Sequence, residues 1–287
     1  MPFATVRDIE ICYELGGAGP RLLTIWGTGA DLRRPPTEFD RYLAARFTVL
    51  AFDQRGMGRS GKPERDYSMA DYADDAAALM AAVGWDKAAV LGYSFGGMVA
   101  QELALRHPAR VTRLVLMSTS AGGAGGSSYP LHELAELEDE ARVRRFLELT
   151  DSRRTPQWQA ANPGLWQGLV DDGIAMLQLG ADDPAKRAGR LRQLAARGQH
   201  DTWQRLPGLR LPVSVFAGRY DAIATPEVQR RLAAGIAGAG YREFEGGHLF
   251  FVQDPSAAPV IVDALGAAPA PPAGAVGACA WRVANQG

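Results

Sequence analysis

The chain has 287 residues, of which 47% are hydrophobic and 22% charged, and its formal net charge is −1 at pH 7. This ordinary balance argues against the basic surface by which proteins bind nucleic acid or anionic membranes. No apolar run reaches the roughly 18 residues of a membrane span, and the first ten residues lack a signal-peptide layout. The two cysteines, Cys12 and Cys279, are too far apart to indicate a disulfide framework or a zinc site, so we expect a cytoplasmic location.

The first part of the chain alternates short apolar runs with helical patterns. Residues 3–15 alternate apolar and polar side chains and predict a β-hairpin that turns near Asp8. Buried strands are then predicted at 22–26, 47–52, 88–91 and 113–117, and helices at 39–45, 68–83 and 98–105. Near-continuous apolar strands separated by helices predict a parallel sheet that is covered on both faces.

This alternation stops near residue 121. The segment 131–205 has a helical pattern with no clear strand, and strand patterns resume at 213–217 and 241–244. We therefore expect a core made of residues 1–121 and 207–266, a helical cap at 122–206, and a tail at 267–287. The tail is rich in Ala, Pro and Gly and buries too little surface to order itself.

Residues 92–96 have the sequence Gly-Tyr-Ser-Phe-Gly and lie between a predicted strand and a predicted helix. A chain that passes from strand to helix in so few residues turns sharply, and Gly-x-Ser-x-Gly in this context predicts a nucleophile elbow. The glycines let strand and helix approach closely, and the hydroxyl of Ser94 lies near the unpaired N–H groups of the helix. An incidental serine in a glycine-rich turn is the alternative reading.

A serine hydroxyl needs a base within hydrogen-bond distance, and the base needs a third group to orient it. His248 directly follows a predicted strand, at the carboxyl edge of the sheet where α/β proteins form their sites, so we assign it as the base. The other three histidines are interpreted as structural or surface residues. For the two in the cap, contact with substrate is the alternative. They are His107 in the core, and His132 and His200 in the cap.

Asp221 is the predicted orienting acid. It follows the strand at 213–217, and it gives the chain order Ser, Asp, His that is typical of this architecture. A carboxylate there fixes the imidazole tautomer and stabilises the imidazolium; a turn residue before the next helix is the alternative. For the oxyanion we expect two backbone donors, the N–H groups of Phe95 and of Thr28.

These motifs resemble the α/β-hydrolase superfamily over about residues 3 to 265. The resemblance rests on the elbow at 92–96, on Asp-x-Arg-Gly-x-Gly-x-Ser at 53–60, on Gly-x-x-Asp at 218–221 and on Gly-His at 247–248, in the family's order. It implies a mostly parallel eight-stranded sheet with helices on both faces and a helical cap inserted after strand six. It also implies a serine hydrolase without cofactor or metal, and a structural role for residues 53–60.

One position departs from the family's pattern. The family's usual His-Gly before the oxyanion turn is Trp26-Gly27 here. That histidine generally supports the loop, so we expect this turn to be held differently. Some members that look like 3-oxoadipate enol-lactonases also lack the histidine, and the run 96–101 and the spacing from Asp221 to Pro226 are similar to that subgroup.

The cap is expected to select the substrate, and its tryptophans suggest a largely apolar pocket. The expected substrate contacts are Trp26, Tyr93, Trp158 and Trp166. Aromatic residues at helical spacing more often pack in a core. The pairs Arg33-Arg34 and Arg153-Arg154 are candidates to bind a substrate carboxylate, although adjacent charges are usually solvated.

The leading hypothesis is hydrolysis of a small carboxylic ester or lactone through an acyl-enzyme on Ser94. Similar triads also host the cleavage of a carbon–carbon bond next to a carbonyl and cofactor-free haloperoxidase chemistry. A non-catalytic ligand receptor on a hydrolase scaffold is the alternative from another class. We expect a small-molecule substrate and neither nucleic acid nor membrane as partners, and leave a homodimer open.

Overall fold

The computed structural model describes residues 1–267, so the predicted tail lies outside the described residues except for its first residue. The strands are β1 (Phe3–Val6), β2 (Ile9–Gly17), β3 (Arg21–Ile25), β4 (Thr48–Phe52), β5 (Ala88–Tyr93), β6 (Val111–Met117), β7 (Val213–Gly218) and β8 (Gly240–Phe244). The helices are α1 (Glu38–Ala44), α2 (Met69–Ala82), α3 (Phe95–Arg106), α4 (Asp139–Thr150), α5 (Pro156–Ala161), α6 (Pro163–Gln178), α7 (Lys186–Gly198), α8 (Pro226–Ala234), α9 (Phe250–Gln253) and α10 (Ala257–Ala264).

The eight strands form one sheet in the order β1-β2-β4-β3-β5-β6-β7-β8. β2 runs antiparallel to both β1 and β4, and every pairing from β4 to β8 is parallel. The predicted hairpin and the predicted mostly parallel sheet are therefore confirmed. The strand order reverses at β3 and β5, because the chain passes from β3 outward to β4 and returns to the other side of β3. The loops that follow β3 and β5 consequently lie side by side at the carboxyl edge of the sheet, where ligands bind in such folds.

Apolar side chains cover both faces of the sheet. Successive residues of a strand point to opposite faces, so Val90 and Leu91 of β5 enter two different apolar clusters. One cluster packs the sheet against α2 and α3, for example through Tyr72, and the other packs it against α1, α9 and α10, for example through Phe250. These layers explain why the strands read as near-continuous apolar runs.

Helix α3 begins earlier than the predicted 98–105, directly at Phe95. Ser94 is its N-cap residue and makes no side-chain capping bond, so its hydroxyl is not used to satisfy the helix. By contrast, the predicted cap of α2 is a full capping box in which the side chains of Ser68 and Asp71 each accept a backbone N–H of the other residue.

The sixth strand is followed by α4 to α7 before the sheet resumes. Residues 118–212, all within the described part of the chain, contain these four helices and no strand. Helix α7 lies directly on the core, since a Cβ atom on Gly189 would come within 2.2 Å of the Gly56 carbonyl oxygen. An ion pair of 2.9 Å between Lys62 and Asp183 adds a second contact. Among residues 1–267, none of the helices combines the length and apolar character needed to span a membrane.

Candidate active site

Ser94 has an unusual backbone conformation, with φ 54° and ψ −118°. Close packing around the turn imposes it: a Cβ atom on Gly96 would lie 1.9 Å from the Ile25 carbonyl oxygen, so only glycine fits there. Two hydrogen bonds of 2.8 Å hold the serine backbone, one from its N–H to the Met117 carbonyl and one from the Thr119 hydroxyl to the Ser94 carbonyl. This is the sharp strand-to-helix turn that the sequence predicts.

The structure brings Ser94, His248 and Asp221 together. The Oγ of Ser94 is 3.0 Å from Nε2 of His248, and Nδ1 of His248 is 2.8 Å from Oδ2 of Asp221. The three residues are only 6%, 2% and 3% exposed, respectively. Both distances are those of normal hydrogen bonds, so one continuous chain joins the hydroxyl to the carboxylate.

The carboxylate of Asp221 is fixed by the loop that carries it. Its Oδ1 accepts the backbone N–H groups of Ile223 and Ala224, at 2.8 and 2.9 Å. Its other oxygen, Oδ2, faces the histidine and accepts the hydrogen bond of Nδ1–H. Nε2 of His248 is then the unprotonated nitrogen and can accept the Ser94 hydroxyl proton.

The loop that carries His248 is held by residues from two other parts of the chain. The Ser118 hydroxyl donates to the His248 carbonyl at 2.8 Å, and the His248 N–H donates to the Thr150 carbonyl at 2.6 Å. The ring also packs against Tyr93, with 5.1 Å between ring centroids. Ser118 and Thr150 could not be found from the sequence, because neither contact leaves a local pattern.

The loop after β3 lies against the serine. A Cβ atom on Gly27 would come within 3.3 Å of the Ser94 Cβ, so glycine permits this approach. Within residues 1–267, the N–H groups of Thr28 and Phe95 donate to no other group of the protein. Both predicted oxyanion donors are therefore free to bind a ligand oxygen.

Two buried glutamines hold this loop where the family's usual histidine is absent. The Gln54 side chain donates to the Trp26 carbonyl at 2.8 Å, and Oε1 of Gln193 accepts the Gly29 N–H at 2.9 Å. Gln54 lies in the turn after β4, whereas Gln193 lies on α7. Neither glutamine was singled out from the sequence. The signal that could have found Gln193 is its helical spacing from the small residues Gly189 and Ala196.

The aromatic residues that were expected to contact substrate lie in three different places. Trp26 is buried against Phe39, Tyr93 and Phe251, with ring centroids 5.9 to 6.5 Å apart. Tyr93 lies between Trp26 and the His248 ring.

The two tryptophans of the helical segment are farther along the chain. Trp166 packs with Val143 and Val170 in an apolar cluster of α4 and α6. Trp158 lines a cavity of about 390 Å³ whose wall also includes Leu165 and Gln253.

The arginines considered for a substrate carboxylate have partners within the protein. Three form ion pairs, Arg33–Asp31 at 2.6 Å, Arg34–Asp40 at 2.8 Å and Arg153–Asp151 at 2.7 Å. Arg154 donates to the Leu147 carbonyl at 3.0 Å. These contacts favour a structural role for both pairs.

The remaining histidines have surroundings that match their structural interpretation. His107 pairs with Asp74 at 2.7 Å, and His132 is exposed. His200 is buried, its Nε2 lies 3.2 Å from the Ser120 carbonyl, and burial lowers its pKa to about 4. Across the described residues, no group of three or more His, Cys, Asp or Glu side chains could hold a metal ion.

Comparisons with known proteins identify the fold family of this chain. Residues 20–165 match the family model described as alpha/beta hydrolase fold. The chain is 32% identical over 265 residues to RutD of Azorhizobium caulinodans, provisionally named as a carbamate hydrolase, covering 89% of this chain and 94% of that protein. It is 24% identical over 265 residues to 3-oxoadipate enol-lactonase 2 of Acinetobacter baylyi, covering 91% and 94%.

Among solved structures, the enol-lactonase from Burkholderia xenovorans LB400 superposes with a TM-score of 0.74 and 26% sequence identity, over 92% of this chain and 99% of that one. The sheet order, the turn at Ser94 and these matches all lead to the same family. The chain belongs to the alpha/beta hydrolase fold family.

Proposed function

We propose that this protein is a serine hydrolase that cleaves a small carboxylic ester or lactone through an acyl-enzyme on Ser94. The proposal depends on one observation, the continuous hydrogen-bond chain of 3.0 and 2.8 Å from Ser94 through His248 to Asp221. A hydroxyl, an imidazole and a carboxylate in this order are the groups that activate a serine for attack on a carbonyl.

In the first half of the proposed reaction, Ser94 Oγ forms a bond to the carbonyl carbon while its proton moves to Nε2 of His248. The carbonyl oxygen becomes an oxyanion, which accepts the free N–H groups of Thr28 and Phe95. When the tetrahedral intermediate collapses, the carbon–oxygen bond of the ester breaks, and His248 gives its proton to the leaving oxygen. With a lactone, the leaving alcohol stays attached to the acyl group.

In the second half, a water molecule attacks the acyl-enzyme and gives its proton to His248. The bond between the acyl carbon and Ser94 Oγ then breaks, and the proton returns to the serine. Asp221 stays ionised and stabilises the imidazolium in both halves. Each of the two oxyanion donors is expected to contribute about 3 kcal/mol to the transition state.

For the substrate, we propose that the segment 122–206 acts as the cap that selects the acyl group. Two of the similar proteins are named enol-lactonases, and this supports a lactone or small ester as the substrate. Helix α7 of this segment bonds to the loop beside Ser94, so the segment has direct contact with the proposed oxyanion site.

The experiment is a panel of esters and lactones with acyl groups of varied size, together with a dienone that reports carbon–carbon cleavage. Ser94→Ala should leave the melting temperature unchanged and lower turnover by about 10⁴-fold or more. Ser127→Ala, at an exposed serine of the described chain, is the control and should keep full activity.

Any of three other outcomes would contradict the proposal. Turnover that Ser94→Ala retains would remove the serine from the mechanism. Cleavage of the dienone without any ester or lactone turnover would indicate a carbon–carbon hydrolase. Complete absence of turnover, with a folded wild-type protein, would favour the non-catalytic receptor.

A further inference from the structure

Gln193 on α7 is fully buried, with 0% of its surface exposed, yet half of its amide group is unused. Oε1 accepts the Gly29 N–H at 2.9 Å, which also fixes the orientation of the amide. In the described chain, its Nε2 has no hydrogen-bond partner. A buried donor without a partner destabilises the folded protein, so an apolar side chain of the same size at this position would make the protein more stable.

The hydrogen bond to Gly29 adds little to the stability of the fold. It is a single neutral hydrogen bond between Gln193 and the exposed residue Gly29, and such a bond contributes about 1 kcal/mol. The unpartnered Nε2 of the same side chain costs about as much. Sites where a sequence departs from the locally most stable choice are often functional, and this one lies beside the proposed oxyanion site.

The position of Gly29 shows what the bond controls. The peptide group that carries the Gly29 N–H is joined, at the Cα atom of Thr28, to the peptide group that carries the free Thr28 N–H. The other end of the turn is fastened at the Trp26 carbonyl by Gln54, at 2.8 Å. Gln193 thus limits the remaining rotation of the Thr28 N–H, and it does so from α7.

Helix α7 is well placed to supply a fixed support. One turn before Gln193, Gly189 packs so closely on Gly56 that an added Cβ would come within 2.2 Å of its carbonyl oxygen. One turn after Gln193, the Arg197 guanidinium donates to the Ser128 hydroxyl at 2.6 Å. Contacts on both sides of Gln193 therefore hold this part of the helix beside the turn.

We propose that Gln193 is a positioning residue that orients the Thr28 N–H toward the oxyanion. This inference rests on the proposed function, because it assigns the residue to the same reaction. An interaction that orients an oxyanion donor acts in the transition state and leaves substrate binding nearly unchanged.

The main test is Gln193→Met, which keeps the volume and removes the acceptor. On the best ester of the panel, kcat should fall by about 10- to 100-fold, which is the size of effect expected from a misplaced catalytic group. KM should stay within about threefold. The affinity for butylboronic acid, which forms a tetrahedral adduct on the serine, should fall along with kcat.

The melting temperature of Gln193→Met should be unchanged or raised, because the substitution also removes the unpartnered Nε2. A purely structural residue would behave in the opposite way, with a lower melting temperature and unchanged kcat in the folded fraction. The matched control is Gln199→Met, at an exposed glutamine just after the same helix, which should change none of these quantities.

Gln193→Glu gives an independent measurement if the methionine variant does not fold. Its carboxyl can still accept the Gly29 N–H, but a negative charge there repels the oxyanion. Its kcat relative to wild type should therefore rise as the pH is lowered and the carboxyl becomes neutral. A ratio that does not change with pH would overturn the inference.

The outcomes separate this inference from the proposed function. If wild type hydrolyses the panel and binds the boronic acid while Gln193→Met does both equally well, only the inference about Gln193 is overturned. If wild type neither hydrolyses the panel nor binds the boronic acid, the proposed function fails, and the positioning role fails with it.

Discussion

At the scale of single residues, the conformation of Ser94 is maintained by buried hydroxyl groups that follow β6. Thr119 bonds the Ser94 carbonyl, and Ser118 bonds the His248 carbonyl, both at 2.8 Å. Ser118 itself has a positive φ of 50°, which turns its hydroxyl toward the histidine loop. Two neighbouring residues thus fix the backbones of the serine and of the histidine relative to each other, and such support keeps a strained turn in place.

His200, whose ring lies against the carbonyl of Ser120, gives a prediction about stability and pH. Burial lowers its pKa to about 4 in the folded protein, below the value of about 6.5 expected in the unfolded chain. As the pH falls below 6.5, the unfolded chain takes up a proton that the folded protein does not. The histidine therefore contributes stability above pH 6.5 that is progressively lost toward pH 4, by up to about 3 kcal/mol.

The variant that tests this is His200→Asn, measured by urea unfolding between pH 4 and 7. The free energy of unfolding of wild type should fall more steeply with decreasing pH than that of the variant. The buried carboxyl of Asp53, whose pKa burial raises to about 6, contributes an opposite slope but is present in both proteins. Parallel curves for the two proteins would contradict a neutral His200.

At the scale of elements, helix α7 is a part of the helical segment that packs closely on the core. Two glycines on this helix differ in how closely other atoms surround them. A Cβ on Gly189 would lie 2.2 Å from the Gly56 carbonyl oxygen, whereas a Cβ on Gly198 would meet nothing within 4 Å. The first glycine permits the contact between helix and core, and the second has no such role.

We expect Gly189→Ala to destabilise the protein by about 1–3 kcal/mol, because the helix has to move away from the turn. Gly198→Ala should be neutral or stabilise by up to about 1 kcal/mol, since alanine favours a helix. Urea unfolding of the two variants measures both effects. Equal effects of the two substitutions would show that α7 does not rest on the turn at Gly56.

The elements themselves could largely be predicted from the sequence, because their signals are local. Alternating residues gave the hairpin of β1 and β2, and the serine cap gave the start of α2. Helix α3 starts three residues before the predicted residue 98. The reason is that the helix begins directly at Phe95, inside the elbow motif.

At the scale of the whole molecule, the main site residues were predictable because each follows a strand of one parallel sheet. Ser94 follows β5, Asp221 follows β7 and His248 follows β8, so the topology alone brings them to one edge. That argument needs only the order of strands and the position of each polar residue after its strand.

The supporting contacts could not be predicted in this way. Gln193 bonds Gly29 across 164 positions of the chain, and Ser118 bonds the His248 loop across 130. The first bond depends on how the helical segment lies on the core, and the second depends on how two loops of the core pack together. No local pattern encodes either. The same holds for the tryptophans, since helical spacing does not tell whether Trp166 faces its own cluster or a substrate.

The most direct test of the whole account is labelling with a fluorophosphonate followed by peptide mass spectrometry. We predict one adduct, on Ser94, that forms rapidly in wild type, is absent in Ser94→Ala and forms much more slowly in His248→Gln, because the base that activates the hydroxyl is missing. Labelling at another residue, or no labelling of the folded protein, would contradict the account.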